Sequence, residues 1–216
     1  MKKFLNIISI IVFSIIILCC VISTREALAY DNLDLKKIDK YINEKFNASN
    51  APGLGVSIIS KDKVLYMKSF GYRDVENKRV LKNDTPLIIG STTKSFTALA
   101  IMQLVKQGKI DLNSTVQNYL PWFKLENIRA ASEIKVINLL NHTSGLSRFS
   151  AIKYVSKNDL DNTKDYIEEL RNVETKDPIG INYNYSNENY QILGLIIEKV
   201  SGLSYEEYIK KYIFQH

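Results

Sequence analysis

Leu35, Ile38, Ile42 and Phe46 return every three or four residues, and this period predicts an amphipathic helix over residues 33–46 that ends near Asn47. Pro52-Gly53 then breaks the chain. Residues 55–60 and 64–70 are rich in strand-favouring side chains, and Lys61-Asp62-Lys63 between them predicts a hairpin. Two strands alone make no stable sheet. Residues 92–107 are apolar on nearly every face until Gly108, so the pattern predicts a long, buried helix. A shorter helix is expected over 134–141, before His142-Thr143-Ser144-Gly145. Asn187 is expected to cap a helix that runs to Ser201, with Gly202 beyond its end, and Ser204-x-x-Glu207 reads as a capping box for a last helix. The chain shows no internal repeat.

The N-terminus has a different pattern. Lys2 and Lys3 precede a mostly apolar run over residues 4–22, and Ala27-Leu28-Ala29 follows, which reads as an export signal over residues 1–29. The run is also long enough to span a bilayer, so cleavage before Tyr30 and retention as an N-terminal anchor both stand. Either way the body, residues 30–216, is expected outside the membrane. Both cysteines, Cys19 and Cys20, lie in this segment, so cleavage would leave no disulfide or thiol chemistry. A lipidated Cys20 lacks the small-residue context such processing needs.

Cleavage leaves 187 of the 216 residues, enough for one domain with a substantial core, and takes Lys2, Lys3, Arg25 and Glu26 with it, lowering the formal charge from +6 to +4. The charges are interspersed, which reads as a solvated surface and argues against a nucleic-acid partner.

The candidate chemistry begins at Gly90-Ser91-Thr92-Thr93-Lys94. A serine hydroxyl needs a proton acceptor as it attacks a carbonyl. Residues three apart on a helix lie roughly 5–6 Å apart at Cβ, so Lys94 can serve Ser91. The helix N-terminus would favour a developing oxyanion. The spacing recurs at Ser60/Lys63, Ser132/Lys135 and Ser150/Lys153. Context separates these: a hairpin turn, a serine that reads as a helix cap, and a polar stretch. Ser91 alone opens a long apolar helix.

A second candidate is Tyr185-Ser186-Asn187, where a loop enters a helix. Tyrosine can relay a proton, and an asparagine amide can accept from a lysine and donate to a substrate carbonyl. Tyr30-x-Asn32 and Tyr41-x-Asn43 repeat the pattern, so the tripeptide alone also fits a surface aromatic loop. The two histidines are His142 and the terminal His216, and no Gly-x-Ser-x-Gly elbow is present. A zinc site or a histidine triad would rest on His142 alone, so neither metal nor cofactor is expected.

Taken in order, the Gly-Ser-Thr-Thr-Lys helix start, Leu-x-x-His-Thr-Ser-Gly-Leu and Pro-x-Gly-x-x-Tyr-x-Tyr-Ser-Asn resemble the serine β-lactamase and penicillin-binding protein superfamily. Within it the chain is most similar to the class C β-lactamase, D-alanyl-D-alanine carboxypeptidase and esterase branch, from about Leu35 onward. The resemblance implies an α/β (α+β) fold with an antiparallel sheet flanked by helices and a helical region. It implies Ser91 as the acylated nucleophile, Lys94 as its proton partner, Tyr185 as acid/base, and Asn187 as a ligand of Lys94 and of the substrate amide. The Ser91 N–H would form half of the oxyanion hole, and His142 would be structural.

The family carries a third motif, Lys-Thr-Gly or His-x-Gly, on a later strand, and this sequence stops at Phe214-Gln215-His216 before it. The resemblance therefore implies a truncated chain, lacking the C-terminal strands and turning substrate over poorly. Two functional classes stand. One is a serine hydrolase on the outer face of a bacterial membrane or secreted from it, acting on a β-lactam, a D-Ala-D-Ala peptide of cell-wall origin or an ester. The other is a binding, sensor or vestigial module that acylates without turnover.

Overall fold

A computed structural model describes residues 34–152 and 162–215. The expected export segment with both cysteines, Lys153 and His216 lie outside the described residues. The chain divides into two compact units, with the boundary between Leu87 and Ile88.

In the first unit, helix α1 (Leu35–Asn47) begins at Asp34, whose carboxylate accepts from Lys37 N–H at 2.9 Å. Strands β1 (Gly53–Ser60) and β2 (Lys63–Asp74) form the expected antiparallel hairpin, with Lys61 in the turn at φ +52°. A two-residue strand β3 (Arg79–Val80), which the sequence pattern missed, pairs with β2 and gives the order β1-β2-β3. Tyr66 Oη and Lys68 Nζ both reach Asp39 Oδ1 at 2.7 Å, and Phe46 and Phe70 have ring centroids 5.6 Å apart. These contacts fasten the polar and apolar faces of α1 to β2.

The second unit is helical. A single 3₁₀ turn (Gly90–Thr92) leads into α2 (Thr93–Lys106), which Gly108 ends at φ +69°. Short helices follow: α3 (Val116–Tyr119), α4 (Ile128–Glu133), α5 (Val136–Leu140) and α6 (Thr163–Glu168). Helix α7 (Asn187–Ser201) ends at Gly202 in the left-handed region, φ +73°, and α8 (Tyr205–Ile209) runs into a π turn (Lys210–Phe214). The capping box at Ser204 and Glu207 forms as expected. The core runs from Ala100, Ile101 and Leu104 of α2 through Val136 and Leu139 to Ile192, Leu193, Ile196 and Ile197 of α7.

Three local expectations need correction. Helix α2 is not buried all round: Leu99 and Met102 stay 48% and 46% exposed, because its core-facing residues lie on one stripe through Thr97, Ala100, Ile101 and Leu104. Ser132 sits inside α4 and its Oγ donates to Arg129 O at 2.8 Å, so it is no cap; Asn138 Oδ1 instead accepts from Lys135 N–H at 2.9 Å to open α5. The cap of α7 is Ser186, whose Oγ accepts from Asn189 N–H at 3.4 Å, and Asn187 is the first helical residue. Its side chain is therefore free of capping.

Candidate active site

Ser91 stands exposed on the 3₁₀ turn that starts α2. Gly90 before it has φ +53° and open space where a Cβ would lie, so glycine serves the backbone turn here and relieves no crowding. Lys94 follows within the first turn of α2. On the other side, Tyr185 and Asn187 flank the capping Ser186 at the start of α7. Two helix starts, far apart in sequence, thus carry the four side chains, and packing of α2 against α7 brings them together.

Tyr185 Oη donates to Ser91 Oγ at 2.7 Å. Lys94 Nζ donates to Asn187 Oδ1 at 2.9 Å and lies 4.9 Å from the centroid of the Tyr185 ring and 5.5 Å from that of Tyr190. Hydrogen bonding with Lys94 and, after it, with Ser91 holds the Tyr185 phenol below its usual pKa; burial opposes this, and the charges of Lys94 and Arg148 add smaller lowering effects. The Arg148 guanidinium sits 5.7 Å from the Tyr185 ring centroid. The four residues singled out from sequence therefore meet in space as two hydrogen-bonded pairs, while the Ser132 hydroxyl bonds within α4. Ser150 closes its own loop, accepting from Ser147 N–H at 2.8 Å.

The loop before Tyr185 is zipped to residues 142–145. Lys176 N–H donates to Gly145 O, Gly180 N–H to Thr143 O and Asn184 N–H to His142 O, each at 2.8 Å. Gly145 has φ +80°, and a Cβ there would collide with Asp177 O, so the close approach of the two strands of chain requires glycine. This explains the Gly of the His-Thr-Ser-Gly segment.

Beneath α7 lies a buried polar cluster that sequence reasoning missed. Glu188 is fully buried, and its carboxylate accepts from Tyr166 Oη at 2.9 Å, Ser186 Oγ at 3.0 Å and Ala151 N–H at 3.4 Å. Burial, then the charge of Glu188 and its hydrogen bond, push the Tyr166 phenol well above its ordinary pKa. Ser144 Oγ donates to the buried Asn189 Oδ1 at 2.7 Å. A carboxylate one residue past Asn187 reads in sequence as an ordinary first-turn acid, so nothing in the linear pattern marks it as interior. Among the described residues no group of three or more His, Cys, Asp or Glu side chains gathers as a metal site.

Two curated relatives from Staphylococcus aureus match most of this chain. Protein flp is 33% identical over 174 residues, covering 81% of this chain and 35% of its own. A teichoic acid D-alanine hydrolase is 34% identical over 173 residues, covering 80% and 40%. The chain thus spans little more than a third of the length of the relatives it matches. Among solved structures, the octameric penicillin-binding protein homologue from Pyrococcus abyssi superposes with a TM-score of 0.73 at 38% identity, covering 85% of this chain and 43% of that one. These neighbours share the mixed fold of antiparallel sheet and many helices described above. The profile of the Beta-lactamase family matches residues 38–216, from α1 through both halves of the hydrogen-bonded site to the last helix, and the chain belongs to that family.

Proposed function

We propose that this chain carries the acylation apparatus of an extracytoplasmic serine hydrolase, with Ser91 as nucleophile, Tyr185 as acid/base, Lys94 as the cation that sustains it and Asn187 as the residue that holds Lys94 and meets the substrate amide. The observation that carries the reading is the 2.7 Å hydrogen bond between Tyr185 and Ser91, beside the 2.9 Å bond between Lys94 and Asn187. In the resting pair the phenol donates. The reactive form is the one from which the phenol proton has left, and the depressed pKa of Tyr185 favours it.

Ser91 Oγ then attacks the substrate carbonyl carbon and its proton passes to the Tyr185 oxygen. The tetrahedral intermediate collapses, the bond to the leaving nitrogen or oxygen breaks, and Tyr185 returns the proton to that atom. Water repeats the sequence on the acyl-serine: Tyr185 takes its proton, and Ser91 leaves with the proton from Tyr185. The Ser91 N–H at the helix start is one oxyanion donor. The substrate is a β-lactam, a D-alanyl peptide or an ester. The relative named for D-alanine hydrolysis from teichoic acid supports a D-alanyl ester of the cell envelope, as does the export pattern of residues 1–29.

A fluorophosphonate or fluorescent penicillin tests this. Labelling is expected on Ser91, lost in Ser91→Ala, slowed about 10²- to 10⁴-fold in Tyr185→Phe, and rising with pH through a value below 10, the ordinary phenol pKa. Label mapped to Ser60, Ser132 or Ser150 overturns the assignment. Acylation of Ser91 without release would instead favour the sensor reading.

A further inference from the structure

His142 takes no part in the acyl transfer, yet three separate contacts from it converge on the segment that carries Tyr185. Its carbonyl oxygen accepts from Asn184 N–H at 2.8 Å. Its Nδ1 accepts from Ser186 N–H at 3.2 Å. Between those two points its ring lies against the Tyr185 ring, with centroids 4.7 Å apart and planes tilted by 31°. The residue before the tyrosine, the tyrosine and the residue after it are thus all held by one side chain and its own backbone. His142 also sits at φ +60°, in the left-handed region that non-glycine residues adopt uncommonly.

We infer that neutral His142 is a positioning residue that keeps Tyr185 in reach of Ser91 by accepting the Ser186 N–H, and that protonation of Nδ1 releases this hold. The inference rests on the reading of Ser91 and Tyr185 as the reacting pair. Nδ1 accepts only through its lone pair, so the proton of the neutral ring is on Nε2. A protonated ring would point N–H at N–H across the Ser186 contact. The groups packed around the ring are Lys94 of α2, Tyr183 and Tyr185 of the preceding loop, and Tyr190 of α7, with Arg148 beyond Tyr185. Burial first, and the Lys94 charge second, hold the imidazole below its ordinary pKa of 6.5. The grip is therefore intact at neutral pH and is lost as pH falls through the folded value. The same sign governs stability: the contribution is full above the unfolded pKa and disappears as pH drops through the lower, folded one.

His142 is one of two histidines in the chain, so its imidazole resonances can be followed singly by NMR. The expected result is a titration below 6.5, with the Tyr185 ring resonances moving in the same step and the rate of Ser91 labelling falling with it while probe affinity stays constant. His142→Asn puts an oxygen near the position of Nδ1, tolerates left-handed backbone and does not titrate. It should lose the acid step and label well above the roughly 10²-fold deficit that a displacement of about 1 Å produces. His142→Leu, without an acceptor, should show that deficit; if it fails to fold, the Asn variant's pH profile decides alone. An unchanged acid step in His142→Asn, or titration of His142 that leaves the Tyr185 resonances still, overturns the inference. Failure of Ser91 to label at any pH would count against the hydrolase reading instead, and the NMR response would still decide the positioning role.

Discussion

Residues 34–87 and residues 88–215 bury their apolar surface very differently. Among the described residues of the first unit, Phe70 and Leu81 are the buried apolar side chains, while Ile59, Val64, Met67, Tyr72 and Val80 of its strands stay 44–61% exposed. In the second unit every helix contributes to one core, from Ala100 in α2 to Tyr208 and Ile209 in α8. Ser91, Lys94, Tyr185 and Asn187 all belong to the second. The reacting pair proposed above would have to be held to within a fraction of an ångström, and that precision comes from side chains locked by packing. The unit with the saturated core is the one that can hold such geometry.

Truncation within the core should expose the difference most. Ile196 in α7 is fully buried, and Ile196→Ala is expected to cost about 2–5 kcal/mol, because surrounding helices cannot close the space completely. Met67→Ala, at a strand position 48% exposed, should stay within about 0.5 kcal/mol. Urea midpoints of the two variants measure both, and equal losses would abolish the contrast.

Gly202 gives an intermediate case inside the second unit. It has φ +73° with open space where a Cβ would lie, so Gly202→Ala should cost about 1 kcal/mol through backbone strain alone. A loss as large as that of Ile196→Ala would mean that the end of α7 is under packing strain as well.

The smallest effect belongs to the first unit. Hydrogen bonds from Lys68, then Tyr66, hold Asp39 below its ordinary carboxylate pKa. Their stabilisation is present above the unfolded value of 3.8 and disappears as pH falls through the lower folded one. The pair is partly exposed, with the Lys68 and Asp39 side chains 44% and 36% accessible, and is screened by salt. Asp39→Asn should therefore shift the melting temperature only slightly, and less at high salt than at low. A shift matching that of Ile196→Ala would show that α1 depends on this contact far more than its exposure suggests.

Much of the second unit was legible in the sequence because local signals agree there. Ser204 and Glu207 form their capping box, Gly108 and Gly202 end their helices, and the apolar stripe of α7 is its core face. The four site residues were legible one by one from local pattern, whereas the pairing of Asn187 with Lys94 and of Tyr185 with Ser91 followed from the family resemblance and not from spacing. Each Ser-x-x-Lys and Tyr-x-Asn has a copy elsewhere in the chain; the long apolar helix after it singled out Ser91, while Tyr185 needed the family's order of motifs. The buried cluster stayed hidden because Glu188, Asn189 and Ser144 are polar, and only tertiary contact makes them interior. The exposed face of α2 was misread for the opposite reason: Leu99 and Met102 are apolar, and periodicity cannot tell a covered face from an open one. Ser186 displaced Asn187 as the cap because both residue types cap equally well.

The hydrogen bond from Tyr185 to Ser91 spans 94 positions of the chain. During refolding, α2 and α7 can each wind up within about a microsecond, since helix formation is local. Their two N-termini meet only after the intervening loop has been closed, the slower search that long-range contacts impose. If Ser91 is the nucleophile proposed above, its labelling is a clock for that long-range contact. A covalent probe added at intervals after dilution from denaturant should capture the serine later than circular dichroism recovers its helical signal, and the lag between the two measures how long a chain can be helical and still chemically mute.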